Sequence, residues 1–221
     1  MPPDPIGFLH TAQVHVATFD GLLAGRATAA HVVRPDLLDR ARVTGVDDAL
    51  RADIRAALVQ VGTGAVVCTC STIGGPAEDE GRALGVTVLR VDRPMAEWAV
   101  HVAAATPRHR LAVVAALDST IGPTCDLVRS VAREQDATVE LVTVTCPGAW
   151  DHFERGDTDA YVRSVATAIR SAHADDPVDV VVLAQASTAP AAALLADLGV
   201  PVLSSPAAAV AAALALVDPA G

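Results

Sequence analysis

The 221-residue chain contains no lysine, all 16 of its basic residues being arginine. Without a lysine amine nothing can form a Schiff base with pyridoxal phosphate or serve a Walker-type phosphate loop, so both mechanisms are excluded. No Gly-x-Gly-x-x-Gly follows a strand-like run, and no His/Cys set has zinc-ligand spacing; Cys68-x-Cys70 alone does not define a metal site. The chain also lacks a basic patch. Its net charge of −10 argues against nucleic acid and against an anionic membrane surface. No apolar run is long enough to span a bilayer, since the stretch from Ala207 to Val217 is short and Ala-dominated. The opening Met1-Pro2-Pro3-Asp4-Pro5 has neither the positive charge nor the apolar run of a signal peptide, which points to the cytoplasm. In that reducing compartment the four cysteines read as thiols.

What is present is a duplicated apolar scaffold. With 52% hydrophobic residues the chain can bury a core in one large or two small domains. Val66-Val67-Cys68-Thr69-Cys70-Ser71-Thr72 recurs as Val182-Leu183-Ala184-Gln185-Ala186-Ser187-Thr188. Gly85-Val86-Thr87-Val88-Leu89, before Pro94, recurs as Gly199-Val200-Pro201-Val202-Leu203, before Pro206. The separations, 116 and 114 residues, agree closely and indicate two similar lobes rather than a solenoid. In the first alignment Cys70 faces Ala186.

Short Val/Leu/Ala runs alternate with amphipathic segments, the pattern of parallel strands covered by helices on both faces. Strands are predicted near 6–10, 64–69, 86–91, 110–116, 139–144, 179–184 and 200–203. Asp47 and Asp48 can cap a helix in which Leu50, Ile54, Leu58 and Val61 recur at helical spacing. Further helices are predicted after Pro76, from Thr120 or Pro123 to Arg133, and from Asp157 or Thr158 to Ala172. The expected division is a first α/β lobe of residues 1–106, rejoined by 205–221, and a second of 107–204.

Ligands of open α/β sheets lie at the carboxyl ends of the strands. Cys70-Ser71-Thr72, Asp118-Ser119-Thr120 and Ala186-Ser187-Thr188 all fall there, offering hydroxyls and backbone N–H groups to an anion. Any one such turn can equally be a helix cap; three together favour a site.

The strand ending Cys70-Ser71-Thr72, its match ending Ala186-Ser187-Thr188 and the His10-Thr11 turn resemble the aspartate/glutamate/hydantoin racemase superfamily over nearly the whole chain. Val67-Cys68-Thr69-Cys70-Ser71-Thr72, Arg90-Val91-Asp92-Arg93-Pro94-Met95 and Leu183-Ala184-Gln185-Ala186-Ser187 resemble a racemase-like bacterial branch of it. The resemblance implies a cofactor-independent enzyme of two pseudo-symmetric lobes, with the site in the cleft between them. It covers amino-acid racemases, maleate isomerase and arylmalonate decarboxylase. Family racemases place one cysteine on each lobe. Here Ala186 stands at the second place and Ser71 where the family often has Asn, a residue this chain lacks altogether, so an ordinary two-cysteine racemase is not expected.

A single thiol at Cys70 can protonate an enediolate left by decarboxylation, add to a double bond, or attack a carbonyl. The following helix start would favour its thiolate; the alternative is a small buried apolar residue. Candidates for a second acid/base are His10, His15, Asp92 and Asp118. Thr11, Ser71, Thr72, Ser119, Thr120, Gln185, Ala186, Ser187 and Thr188 are candidate substrate-binding residues. Cys68 reads as core packing, with a resolving thiol as the alternative, and Cys125 as the stronger candidate for a second reactive thiol, Cys146 having no place in the motif. His31, His101, His109, His152 and His173 read as surface or structural, Trp98 and Trp150 as packing, with Trp150-Asp151-His152 in a loop able to cover the cleft. The expected partner is a small carboxylate or carbonyl compound. A racemase or epimerase with a non-cysteine second acid, or a non-catalytic anion-binding protein, remain the other readings. Family members are frequently oligomeric, and the apolar segment 207–217 is a candidate contact between copies of the chain.

Overall fold

The computed structural model describes residues 5–217; the leader-free reading of the terminus rests on residues 1–4, outside the described residues. The chain divides into two units, one made of residues up to 93 together with those from 206 onward, the other of 94–205.

In the first unit, strands β1 (Ile6–His10), β2 (Ala29–Val33), β3 (Ala65–Cys68) and β4 (Thr87–Arg90) form an all-parallel sheet of order β2-β1-β3-β4. Between them run α1 (Val14–Leu23), α2 (Pro35–Thr44), α3 (Asp48–Val61) and α4 (Ser71–Leu84). Strand β2 lies outside the predicted set. It is an edge strand of intermediate burial whose sequence, Ala-Ala-His-Val-Val, lacks the continuous apolar run that marks its neighbours. As predicted, Asp47 caps α3 by accepting a hydrogen bond from the Leu50 N–H at 2.7 Å, and Leu50, Ile54, Leu58 and Val61 form its buried face.

The second unit repeats this plan. Helix α5 (Arg93–Ala104) leads into β5 (Arg110–Ala115), α6 (Asp118–Glu134), β6 (Glu140–Thr145), α7 (Ala149–Glu154), α8 (Thr158–Asp175), β7 (Val180–Leu183), a 3₁₀ helix (Ala186–Leu195) and β8 (Val202–Ser204). The sheet order β6-β5-β7-β8 is that of the first sheet, strand for strand. Period-2 alternation divides its core: Leu111, Val113, Val180 and Val182 face α5 and α6, while Ala112, Val114, Val181 and Leu183 face Tyr161, Val165 and Ile169 of α8.

Two boundaries differ from expectation. Helix α5, placed in the first lobe by the sequence division at 106, buries Met95, Ala96, Ala99, Val100 and Ala103 against β5 and β7, and so belongs to the second unit. Helix α4 begins at Ser71, several residues before the proline that marks its predicted start, and α6 at Asp118, two residues before Thr120, the earlier of its two predicted starts; Pro76 and Pro123 lie inside them. Each proline removes one ladder donor just after the first turn. The last helix, α9 (Ser205–Val217), packs Ala209, Val210 and Ala213 with Ile6, Phe8, Phe19 and Val67. Within the segment 207–217, Ala209, Val210 and Ala213 are buried in this core, while Leu216 is 49% exposed.

Glycine lets α4 lie close on β4. A Cβ at Gly81 would sit 2.3 Å from Val88 Cγ2 and 2.9 Å from the Val86 carbonyl oxygen, and one at Gly74 would sit 2.9 Å from Arg90 Cβ. Among the described residues no helix is long and apolar enough to cross a membrane.

Candidate functional site

The carboxyl edge of the first sheet gathers four of the predicted site residues. Cys70 is extended (φ −117°, ψ 112°) and immediately precedes α4, so its sulfur faces the start of a 14-residue helix. The Thr11 and Thr72 hydroxyls and the Thr72 and Ile73 N–H groups face that sulfur and favour its thiolate, without closing into a helix-cap bond. Ser71 and Thr11 are buried beside it in the same turns. Burial acts the other way and prevails: at 7% exposure the Cys70 thiol is pushed above its ordinary value. The donors at the helix start favour the thiolate, as the sequence suggests, and burial opposes them more strongly. Cys68, at the end of β3, is fully buried, its Sγ 3.8 Å from the Cys70 carbonyl oxygen, and burial raises its pKa further.

His10 and His15 are both buried. His10 has no exposed surface, and burial, then the neighbouring His15 and His31, lower its pKa to about 3. Burial lowers His15 to about 4. His10 Nδ1 lies 2.9 Å from Thr69 Oγ1 and its Nε2 2.9 Å from His31 Nδ1, while His31 Nε2 lies 3.0 Å from Asp20 Oδ1. Thr69, His31 and Asp20 are absent from the sequence-derived candidates; Asp20 and His31 sit on α1 and on the unpredicted β2.

Asp92 is also committed elsewhere. Arg90 donates to it through Nε at 2.7 Å and Nη2 at 2.9 Å, a forked pair with both side chains buried, which Gly74 admits by its missing side chain. Both Asp92 carboxylate oxygens are thus occupied by Arg90.

In the second unit Asp118 is an exposed first-turn residue of α6, followed by Ser119, whose buried Oγ has no hydrogen-bond partner among the described residues, and by buried Thr120. Gln185 serves the architecture. Its Oε1 accepts from the Ala116 N–H at 2.6 Å and the Leu117 N–H at 3.2 Å, tying the β5–α6 turn to the end of β7. Thr188 donates to the Gln185 carbonyl oxygen at 2.6 Å, and Ser187 meets the Tyr161 hydroxyl at 2.8 Å. Tyr161, absent from the sequence-derived candidates, is buried and its pKa is raised by burial. Cys146 is buried one residue beyond β6, with burial raising its thiol to about 11. Cys125 packs into the apolar core with Leu127 and Val128, and burial raises its pKa. Trp98 is 57% exposed and stacks on His101, so it is not a core residue, and Trp150 belongs to α7, where its indole donates to Glu154 at 2.6 Å.

Strand register corrects the alignment of the two halves. Cys68 pairs with Leu9 and Arg90 as Leu183 pairs with Val114 and Ser204, and the helices after β3 and β7 start at Ser71 and Ala186. The counterpart of Cys70 is therefore Gln185, with Ala186 matching Ser71. Neither choice supplies a second thiol.

The two repeated four-stranded parallel sheets, with strand-to-helix turns carrying the candidate groups, make an α/β fold shared with solved racemases. No protein-family model matches the chain, and no curated protein matches it in sequence. Solved structures do. A glutamate racemase from Bacillus anthracis matches with a TM-score of 0.71 at 16% identity, over 98% of this chain and 82% of that one. Allantoin racemase from Pseudomonas fluorescens matches with a TM-score of 0.62 at 16% identity, over 97% and 91%. A Gly-to-Cys mutant of arylmalonate decarboxylase, in a sulfate-associated form, matches with a TM-score of 0.59 at 16% identity, over 98% and 94%.

Proposed function

We propose that the chain is a cofactor-independent enzyme acting on a small carboxylate or carbonyl compound, with Cys70 as its single reacting thiol, in an isomerase- or decarboxylase-type reaction. The observation that carries this reading is the surroundings of Cys70: four donors from Thr11, Thr72 and Ile73 facing one sulfur at a helix start, in a site dry enough to keep the proton on sulfur at rest. A protonated thiol flanked by donors suits delivery of a proton to carbon. When a carboxylate group leaves as CO2, the electrons of the broken C–C bond remain as an enediolate on the substrate. The Cys70 S–H gives its proton to that carbon, the four donors stabilise the thiolate left behind, and water returns a proton to sulfur. Ser71, buried in the same turn, would help to hold the remaining carboxylate.

The solved relatives support the class through their fold, being racemases and a decarboxylase by name. The absence of a thiol at either Gln185 or Ala186, with His10 and Asp92 engaged in buried hydrogen bonds, favours a one-thiol reaction over two-sided proton exchange. The test is NMR in D2O on a panel of amino acids, hydantoins, arylmalonates and maleate, with wild-type and Cys70→Ser protein side by side. Exchange, isomerisation or decarboxylation that disappears with the sulfur is the expected result. Equal turnover by both proteins, or ligand binding by both without turnover, overturns it.

A further inference from the structure

Two rungs continue the β1–β3 ladder past its last paired residues, Leu9 and Cys68. The first is His10 with Thr69, the second Thr11 with Cys70. One peptide bond separates the rungs on each strand, so a shift of Thr69 is passed directly to the sulfur.

We propose that His10 is a positioning residue for Cys70: through Thr69 it fixes the turn that presents the thiol, and through His31 and Asp20 it ties that turn to protonation at the surface of the unit. The proposal rests on the reading of Cys70 as the reacting group. The ring of His10 is held in place on all sides, stacked on His31 at 5.2 Å and on Phe8 at 5.7 Å, and tilted against Phe19 and His15. The chain Thr69–His10–His31–Asp20 runs from full burial to a carboxylate that is 55% exposed. The charged or titratable side chains around it are His15 and Asp20 on α1 and His31 on β2.

Counting protons gives the chain two states. In one, the Thr69 hydroxyl donates to His10 Nδ1, His10 Nε2–H donates to His31 Nδ1, and His31 Nε2–H donates to the Asp20 carboxylate; every group is paired and both rings are neutral. Adding one proton at the His31–Asp20 end reverses the direction. His31 Nδ1–H then donates to His10 Nε2, His10 Nδ1–H donates to Thr69, and the Thr69 hydroxyl turns to the Leu9 carbonyl oxygen, which lies 3.2 Å away. His10 changes tautomer without gaining charge, in keeping with a pKa held far below that of free imidazole.

Alkylation of Cys70 by iodoacetamide, followed by mass spectrometry at that residue as a function of pH, tests this without any substrate. Its outcome is therefore separable from a failure to find turnover. Thr69→Val and His10→Phe should slow alkylation at neutral pH by about tenfold and raise its pH midpoint, the size of one weakened hydrogen bond to a thiolate. Thr69→Ser should restore the wild-type profile, and Asp20→Asn, at an exposed position, should shift it in a folded protein. Nitrogen NMR of His10 in the wild-type protein supplies a variant-free reading. The expected result is a His10 ring that stays neutral across about pH 5 to 9. A wild-type profile in folded Thr69→Val and Asp20→Asn, or titration of His10 to imidazolium in that range, overturns the proposal.

Discussion

Lowering the pH should destabilise this protein through two histidines. In the unfolded chain His10 and His15 titrate near 6.5, while burial holds them to about 3 and about 4 in the native state. Both folded values lie below the unfolded one, so above pH 6.5 neither state binds the protons and the histidines impose no penalty. As pH falls below 6.5 the unfolded state takes up protons that the native state cannot, and stability declines until the folded values are reached. Each histidine costs about 1.4 kcal/mol per pH unit within that window, which comes to about 2 kcal/mol each, or about 4 kcal/mol together, between pH 7.5 and 5. Against a typical stability of about 5–15 kcal/mol this is a large share. Urea unfolding followed by circular dichroism at the two pH values measures it. His15→Leu should remove about half of the loss, and His10→Phe with His15→Leu nearly all of it. If wild type and the double variant lose the same stability over this interval, the burial argument for these rings is refuted.

Three other outcomes follow from the same structure. Asp92→Ala leaves the buried Arg90 guanidinium without its carboxylate and should cost about 3–5 kcal/mol in urea unfolding, whereas Arg90→Met with Asp92→Leu should come within about 2 kcal/mol of wild type. Gly81→Ala, whose Cβ meets Val88 and the Val86 carbonyl, should destabilise by about 1–3 kcal/mol, while Gly21→Ala, in open space on α1, should be neutral or stabilising by the same measurement. Cys70 should be the most readily alkylated of the four thiols at alkaline pH, since Cys68 is fully buried and Cys125 lies in the core; mass mapping after brief iodoacetamide treatment checks the order.

Much of this architecture is legible in the sequence because each core strand announces itself as an apolar run and the runs repeat. Val66-Val67-Cys68 and Val182-Leu183 are buried on both faces, and no other element accommodates such a run of that length. Strand β2 is illegible for the converse reason: as a half-buried edge strand with a histidine at its centre, it shows no such run. With β2 goes His31, and with His31 the chain that reaches Asp20. Local chemistry locates the Cys70 turn, because small hydroxyl residues after a strand are a physical signature of a helix start. It does not weigh burial, which exceeds the pull of four donors and leaves sulfur protonated. Nor can spacing alone assign Gln185 as the register equivalent of Cys70, since that requires the pairing register, and one residue of slip moves the match to Ala186.

The return of α9 to the first sheet sets an order on how the chain becomes structured during synthesis. The second unit is one unbroken stretch, residues 94–205, with its sheet and covering helices complete before α9 is made. The first unit keeps Phe8, Phe19 and Val67 uncovered until Ala209, Val210 and Ala213 arrive some two hundred residues after β1. Until then its apolar face is the surface through which a stalled or truncated chain would aggregate.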